Sequence, residues 1–259
     1  MKKLIVFALL FISTEYCHSQ NGQSKKGIKS INTTELFRQL YSDGKYYTST
    51  IETNKTLYNE KGEKIKNIRI TFENSEPKNK NTTTYYHKDN KIDFAISNIN
   101  DDSISFKTYY NYNDSLLIKI HFNYIKDEKE LSFEETYNYD NHNKLTSSNY
   151  VYYEKYIDSD TDNYITYLKL KEKYDSKERT TEMDYSESDS IFEHNKFSYK
   201  WKKDGTLLNK KEFDKKDKLI NKTRYKYIFN EKNFWIVRKS FMNKSLHKII
   251  YREFEYFHE

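Results

Sequence analysis

The chain has 259 residues, a formal charge of +6, one Cys, one Pro and five Gly. Its hydrophobic fraction is 36%, much of it from 26 Tyr and 16 Phe, and its mean hydropathy is −1.06. These values exclude a disulfide framework, a Pro/Gly-rich linker and a conventional aliphatic core, while the 17% aromatic content argues against intrinsic disorder.

The first elements are targeting signals rather than structure. Lys2 and Lys3 precede an unbroken apolar run from Leu4 to Ile12, and Cys17-His18-Ser19 supplies small residues ahead of Gln20. This pattern predicts a signal peptide over residues 1–19 and an exported protein in the periplasm, at the outer surface or secreted. The run is too short to span a bilayer, and no later stretch is long enough for a transmembrane helix. Tyr16 and Thr14 occupy the places where a lipidation signal at Cys17 would carry a small residue and a Leu-like residue, so the expectation is removal with the signal rather than a lipid anchor.

Residues 20–45 read as a polar lead followed by a short capping helix. Thr33 or Thr34 can N-cap, and Leu36, Phe37, Leu40 and Tyr41 fall at helical spacing. From residue 46 to 259 the pattern is strand and turn. An aromatic, three polar residues, a turn former, one more residue and a large apolar residue recur as Tyr86…Asn90…Ile92, Tyr139…Asn143…Leu145, Trp201…Gly205…Leu207, Phe213…Asp217…Leu219 and Phe229…Asn233…Trp235. Taken with the near copies at Tyr58, Tyr112 and Tyr174, the main series is spaced by 28, 26, 27, 35, 27 and 28 residues. A unit of ~27 residues holds two strands and two connections. Alternation such as Tyr225-Lys-Tyr227 puts rings on one sheet face, and the fifth motif position calls for a residue tolerant of positive φ. The predicted fold is therefore all-β: antiparallel hairpin repeats forming one extended, curved sheet or open shell with a short N-terminal helix.

On Tyr137-Asn-Tyr139-Asp140…Asn143-Lys-Leu145, and on Tyr225-Lys-Tyr227…Asn233-Phe-Trp235…Arg238, the chain resembles the exported bacterial YD-repeat (RHS-like) proteins. That resemblance implies β-hairpin sheets or shells whose repeats carry no catalysis.

Few residues suggest chemistry. The 35-residue interval contains Asp158, Asp160 and Asp162 at alternate positions, resembling the start of a calcium loop. Asn163 stands where such a loop has Gly and Lys169 where it has Glu, so the acids read first as a solvated hairpin tip, with Ca²⁺ the one cofactor they suggest. The seven His do not cluster, and there is no nucleophile elbow or phosphate loop, so the expectation is a protein without enzymatic activity. Trp201, Trp235 and Tyr153, interleaved with Lys, are the candidates for stacking a ligand such as a sugar; the alternative is that these rings form the sheet's own packed face. Residues 191–259 carry 18 basic and 9 acidic side chains. The expected role is binding or surface interaction at the bacterial envelope, with polysaccharide or an envelope protein as partner rather than nucleic acid. The alternative is a structural or immunity-type protein whose sheet edges pair with another chain.

Overall fold

A computed structural model describes residues 27–40, 46–100, 104–126, 129–156, 164–177, 179–187, 195–214 and 216–257. The segment expected to be a signal peptide, most of the expected polar lead and the Asp158–Asp162 stretch lie outside the described residues. Sixteen strands follow in order: β1 Ile28–Leu40, β2 Tyr46–Tyr58, β3 Lys64–Glu73, β4 Glu76–Lys88, β5 Lys91–Ile99, β6 Ile104–Asn113, β7 Leu116–Lys126, β8 Lys129–Tyr139, β9 Leu145–Tyr156, β10 Tyr164–Tyr174, β11 Thr180–Glu187, β12 Asn195–Trp201, β13 Leu207–Phe213, β14 Leu219–Phe229, β15 Trp235–Met242 and β16 Ser245–Tyr256. Each strand pairs with its sequence neighbours, and β1 pairs antiparallel with β16, so the sheet closes into a barrel.

This corrects the expected open sheet in two ways. First, closure gives every described strand two partners, so the strand-addition route to a partner chain finds no free edge among them. Second, the expected helix is β1. Thr33 and Thr34 favour a strand, and β1 is held on both sides by β2 and β16. A register shift between Glu35 and Leu36 lets adjacent apolar residues fit a strand, which mimics helical spacing in the sequence.

The recurrent motif is a specific turn. Its first residue pairs with its seventh: Tyr139 with Leu145, Trp201 with Leu207, Phe229 with Trp235, and likewise Tyr58 with Lys64 and Tyr174 with Thr180. In every case the register shifts at the aromatic, as a one-residue bulge does. The fifth residue has positive φ at Gly62, Asn143, Gly205, Asp217 and Asn233. The second position has a role that the sequence pattern does not announce. Asp140 Oδ1 accepts from the N–H of His142 (2.8 Å) and of Lys144 (3.0 Å). Asp175, Asp214 and Asn230 repeat this pair of bonds, and Asn59 accepts from Glu63. The copies beginning at Tyr86 and Tyr112 instead close tighter turns, with positive φ at Asp89 and Asn90 and at Asp114. The seven copies of the main series fall at every second connection, so the two-strand unit describes the chain.

Two compact units divide the chain. Among the described residues, one comprises Asp89–Phe94 and those of Phe106–Asn221, and the other those from Gly27 to Lys88, of Ala95–Ser105 and from Lys222 to Phe257. In the first unit one sheet face is an aromatic core. Phe106, Phe122, Phe133 and Tyr150 form a ladder across neighbouring strands, with ring centroids 5.1, 5.5 and 4.8 Å apart. Each such pair contributes about 0.2–1 kcal/mol beyond Ala–Ala, and Tyr150 is 1% exposed. The opposite face is charged: Lys119 pairs with Glu134 (2.6 Å), Lys173 with Glu182 (2.8 Å), and Lys169 and Lys171 are exposed.

In the second unit the corresponding face of β2–β5 is polar. Asn67 donates to Asn54 (2.7 Å) and Thr56 (3.1 Å), Arg69 pairs with Glu52 (2.7 Å), and Thr83 meets Ser97 at 2.8 Å. Lys226 and Arg224 are exposed on alternate positions of β14.

The turn geometry carries a stability prediction. Gly205→Ala forces a side chain into left-handed backbone and should cost about 1–2 kcal/mol. Asn143→Gly, at the equivalent position, should be neutral or stabilising. Urea midpoints at constant denaturant slope measure both.

Candidate functional site

The sequence candidates separate in the structure. Trp201 is a staple: its Nε1–H donates to the Thr180 carbonyl (2.7 Å), and the Arg179 guanidinium lies 5.9 Å from its ring. Arg179 in turn bonds Asp175 and the Lys202 carbonyl, which locks two neighbouring turns together. Trp201 thus holds its own sheet, as does Tyr139, whose hydroxyl donates to the Leu117 carbonyl (2.7 Å). Tyr153 is placed in β9 opposite Ser132, but its side chain, like Asp158, Asp160 and Asp162, lies outside the described residues. Among the described residues no group of three His, Cys, Asp or Glu could hold a metal ion.

Trp235 is different. It begins β15 beside the 230–234 turn, and the register places Tyr227 opposite Arg238 and Tyr225 opposite Ser240. The Arg252 guanidinium stacks 3.5 Å from the Trp235 ring centroid, and that of Arg238 lies 5.3 Å from the same ring and 5.6 Å from Tyr225. Tyr227 stands edge-on to Trp235 at 6.0 Å. Farther along β16, Phe254 stacks on Phe234 (5.1 Å) and on Tyr256 (6.5 Å), with Lys232 over Tyr256 at 3.8 Å. Burial holds the Tyr225 and Tyr227 phenols above their ordinary pKa, so both stay neutral donors at neutral pH. With Arg252 against Trp235, this site offers guanidinium edges as well as aromatic surface. The sequence singled out Trp235 but not the two arginines, which β-pairing alone brings to it.

A second cluster lies buried in the first unit. Glu135 and Glu172 are 2% and 7% exposed on the aromatic face. Tyr174 donates to Glu172 (2.5 Å) and meets Ser148 at 3.0 Å. Burial pushes the Glu135 carboxyl up to about 8; contacts with Tyr137 and Ser148 pull the other way, and Glu172 raises it further. Burial likewise raises Glu172, against its bond from Tyr174 and the charge of Lys210. Sequence reasoning missed both, because each is one Glu among many in a strand of mixed polarity.

No family model and no curated protein sequence matches the chain. Solved structures do. A porin-like protein from Bacteroides uniformis aligns with TM-score 0.52 and 12% identity over 89% of this chain and 97% of its own. The fold is that of a porin-like barrel. A porin-like protein from Bacteroides vulgatus agrees, at TM-score 0.50 and 9% identity, over 88% and 98% of the two chains. The TcdB2-TccC3-Cdc42 toxin complex aligns only at TM-score 0.21, too weak to carry an argument. The YD-repeat resemblance therefore remains one of hairpin motifs, and the closed barrel supplies the architecture.

The buried carboxyl makes stability depend on pH. The Glu135 proton is held up to about pH 8 in the folded chain, whereas an unfolded Glu releases it near 4.5. Its contribution is complete below about 4.5 and is lost progressively as pH rises through about 8. Thermal midpoints should fall across that window, and Glu135→Gln should flatten the fall.

Proposed function

We propose that this chain is an exported, non-enzymatic barrel of the bacterial cell envelope that stands in water and binds an envelope partner, rather than a conducting pore embedded in lipid. The observation that carries this reading is the sorting of side chains along the strands. A lipid-spanning barrel turns an apolar band outward. Here charged side chains stand at accessible mid-strand positions, Lys119 and Glu134 in the first unit and Arg224 and Lys226 in the second, interspersed with exposed Tyr109, Ile118, Ile228 and Tyr251 rather than forming a continuous apolar band. On β10 alone Lys169, Lys171 and Lys173 share the exposed face. Each lysine at a bilayer midplane costs about 2–4 kcal/mol, so three approach ~6–12 kcal/mol for a single strand. In the first unit the ladder of Phe106, Phe122, Phe133 and Tyr150 is buried, the reverse of what a lipid-facing aromatic row needs.

The apolar leader motivates export, and the porin-like fold makes the envelope a natural setting. The perturbed carboxyl of Glu135 is buried at 2% exposure, closed off from any substrate, which favours binding over catalysis.

The mature chain should be released by osmotic shock or carbonate washing, remain monodisperse without detergent, and leave planar bilayers silent. Extraction only with detergent, together with stepwise conductance, would overturn the reading.

A further inference from the structure

The geometry points to the Arg238–Trp235–Arg252 cluster as an oxyanion site for an acidic saccharide of the envelope. This rests on the binding role proposed above and names the chemistry of the ligand.

Four observations converge. First, Arg238 makes no ion pair among the described residues; its guanidinium meets the Tyr227 hydroxyl, while its buried Nε has no hydrogen-bond acceptor. A buried guanidinium with unused donors is costly unless something arrives to meet them. The buried Tyr256 hydroxyl at the other end of the cluster is likewise unmatched. Second, two acids of the neighbouring strands already have partners. Glu255 of β16 holds Lys29 and Ser30. On β1, Thr33 lies opposite Arg252, and Glu35 pairs with Lys248 (2.5 Å). Third, the Trp235 and Tyr225 rings fix the guanidinium planes before any ligand binds. A planar fork held in this way loses little freedom when it bonds a carboxylate or phosphate. Fourth, Phe254, Phe234 and Tyr256 continue the face as a row of flat rings, which suits the apolar side of a sugar. The 18 basic and 9 acidic residues of positions 191–259 add long-range attraction for a polyanion.

The test is calorimetric titration of the purified full chain with oligogalacturonate, inorganic phosphate and neutral maltoheptaose, at low and physiological salt. Oligogalacturonate should bind, weaken with salt and be displaced by phosphate, while maltoheptaose should not bind. Arg238→Gln should weaken binding roughly tenfold or more, as expected for loss of a charge-assisted pair. Arg238→Lys, which keeps the charge without the fork, should fall between the two. Lys226→Gln removes a charge from the opposite face of β14 and should change affinity by about twofold at most. If phosphate binds and oligogalacturonate does not, the saccharide assignment is overturned. Absence of binding by either anion, unchanged affinity in Arg238→Gln, or an equal loss in Lys226→Gln overturns the site itself. Detergent-free solubility and bilayer silence are read separately, so failure here leaves the water-standing barrel intact.

Discussion

Register is the constraint on which the rest of this protein depends. A strand has a side-chain period of two, so a slip of one residue would carry every ring to the wrong face. The chain fixes register at the connections after Tyr58, Tyr139, Tyr174, Phe213 and Phe229 with a turn that fits one way only. The Asx side chain after the aromatic accepts backbone N–H groups two and four residues on, as Asp140 does from His142 and Lys144. The fifth residue takes left-handed backbone, and the aromatic then closes against the seventh residue across a bulge. The aromatic often extends the hold to the next hairpin, as when Tyr139 reaches the Leu117 carbonyl or Trp201 the Thr180 carbonyl.

With register fixed, alternation sorts the side chains. In the first unit Phe122, Phe133 and Tyr150 meet on one face while Lys119 and Glu134 meet on the other. The second unit builds its polar face from Asn67, Asn54, Arg69 and Glu52. The same rule that assembles the aromatic ladder brings Arg238 and Arg252 to Trp235, since Tyr227 lies opposite Arg238, and Arg252 lies two residues along β16 from Ile250, the partner of Arg238. A porin-like strand order leaves the two faces free to differ, because pairing fixes the fold and alternation sorts the side chains.

Much of this was readable from residues in sequence. The aromatic-to-apolar spacing marked the hairpins, and positive φ at Asn143, Gly205 and Asn233 follows from residue type. Closure was not readable, because it is a pairing of β1 with β16 between segments with no shared motif. The β1 strand was misleading for a related reason: the bulge at Glu35 and Leu36 breaks its alternation, and only its two neighbours impose extended backbone. Trp201 and Trp235 look alike in sequence. The difference between a staple and a cation-bearing cluster lies in which carbonyl or guanidinium the fold brings to each ring.

The β1–β16 pairing has a consequence for assembly. All other ladders join consecutive strands and can form as soon as both are present. The Lys29–Glu255 contact instead joins residues 226 apart. During synthesis or export β1 emerges early and must keep one flank unpaired until the last strand arrives, so closing this seam is the slow, high-contact-order step. Through that interval the N-terminal strand is the molecule's vulnerable edge, open to pairing with another chain of its own kind. The polar run of Asn32, Thr33, Thr34 and Glu35 along β1 then acts as protection in time, keeping the waiting edge hydrophilic until its own C-terminus closes it.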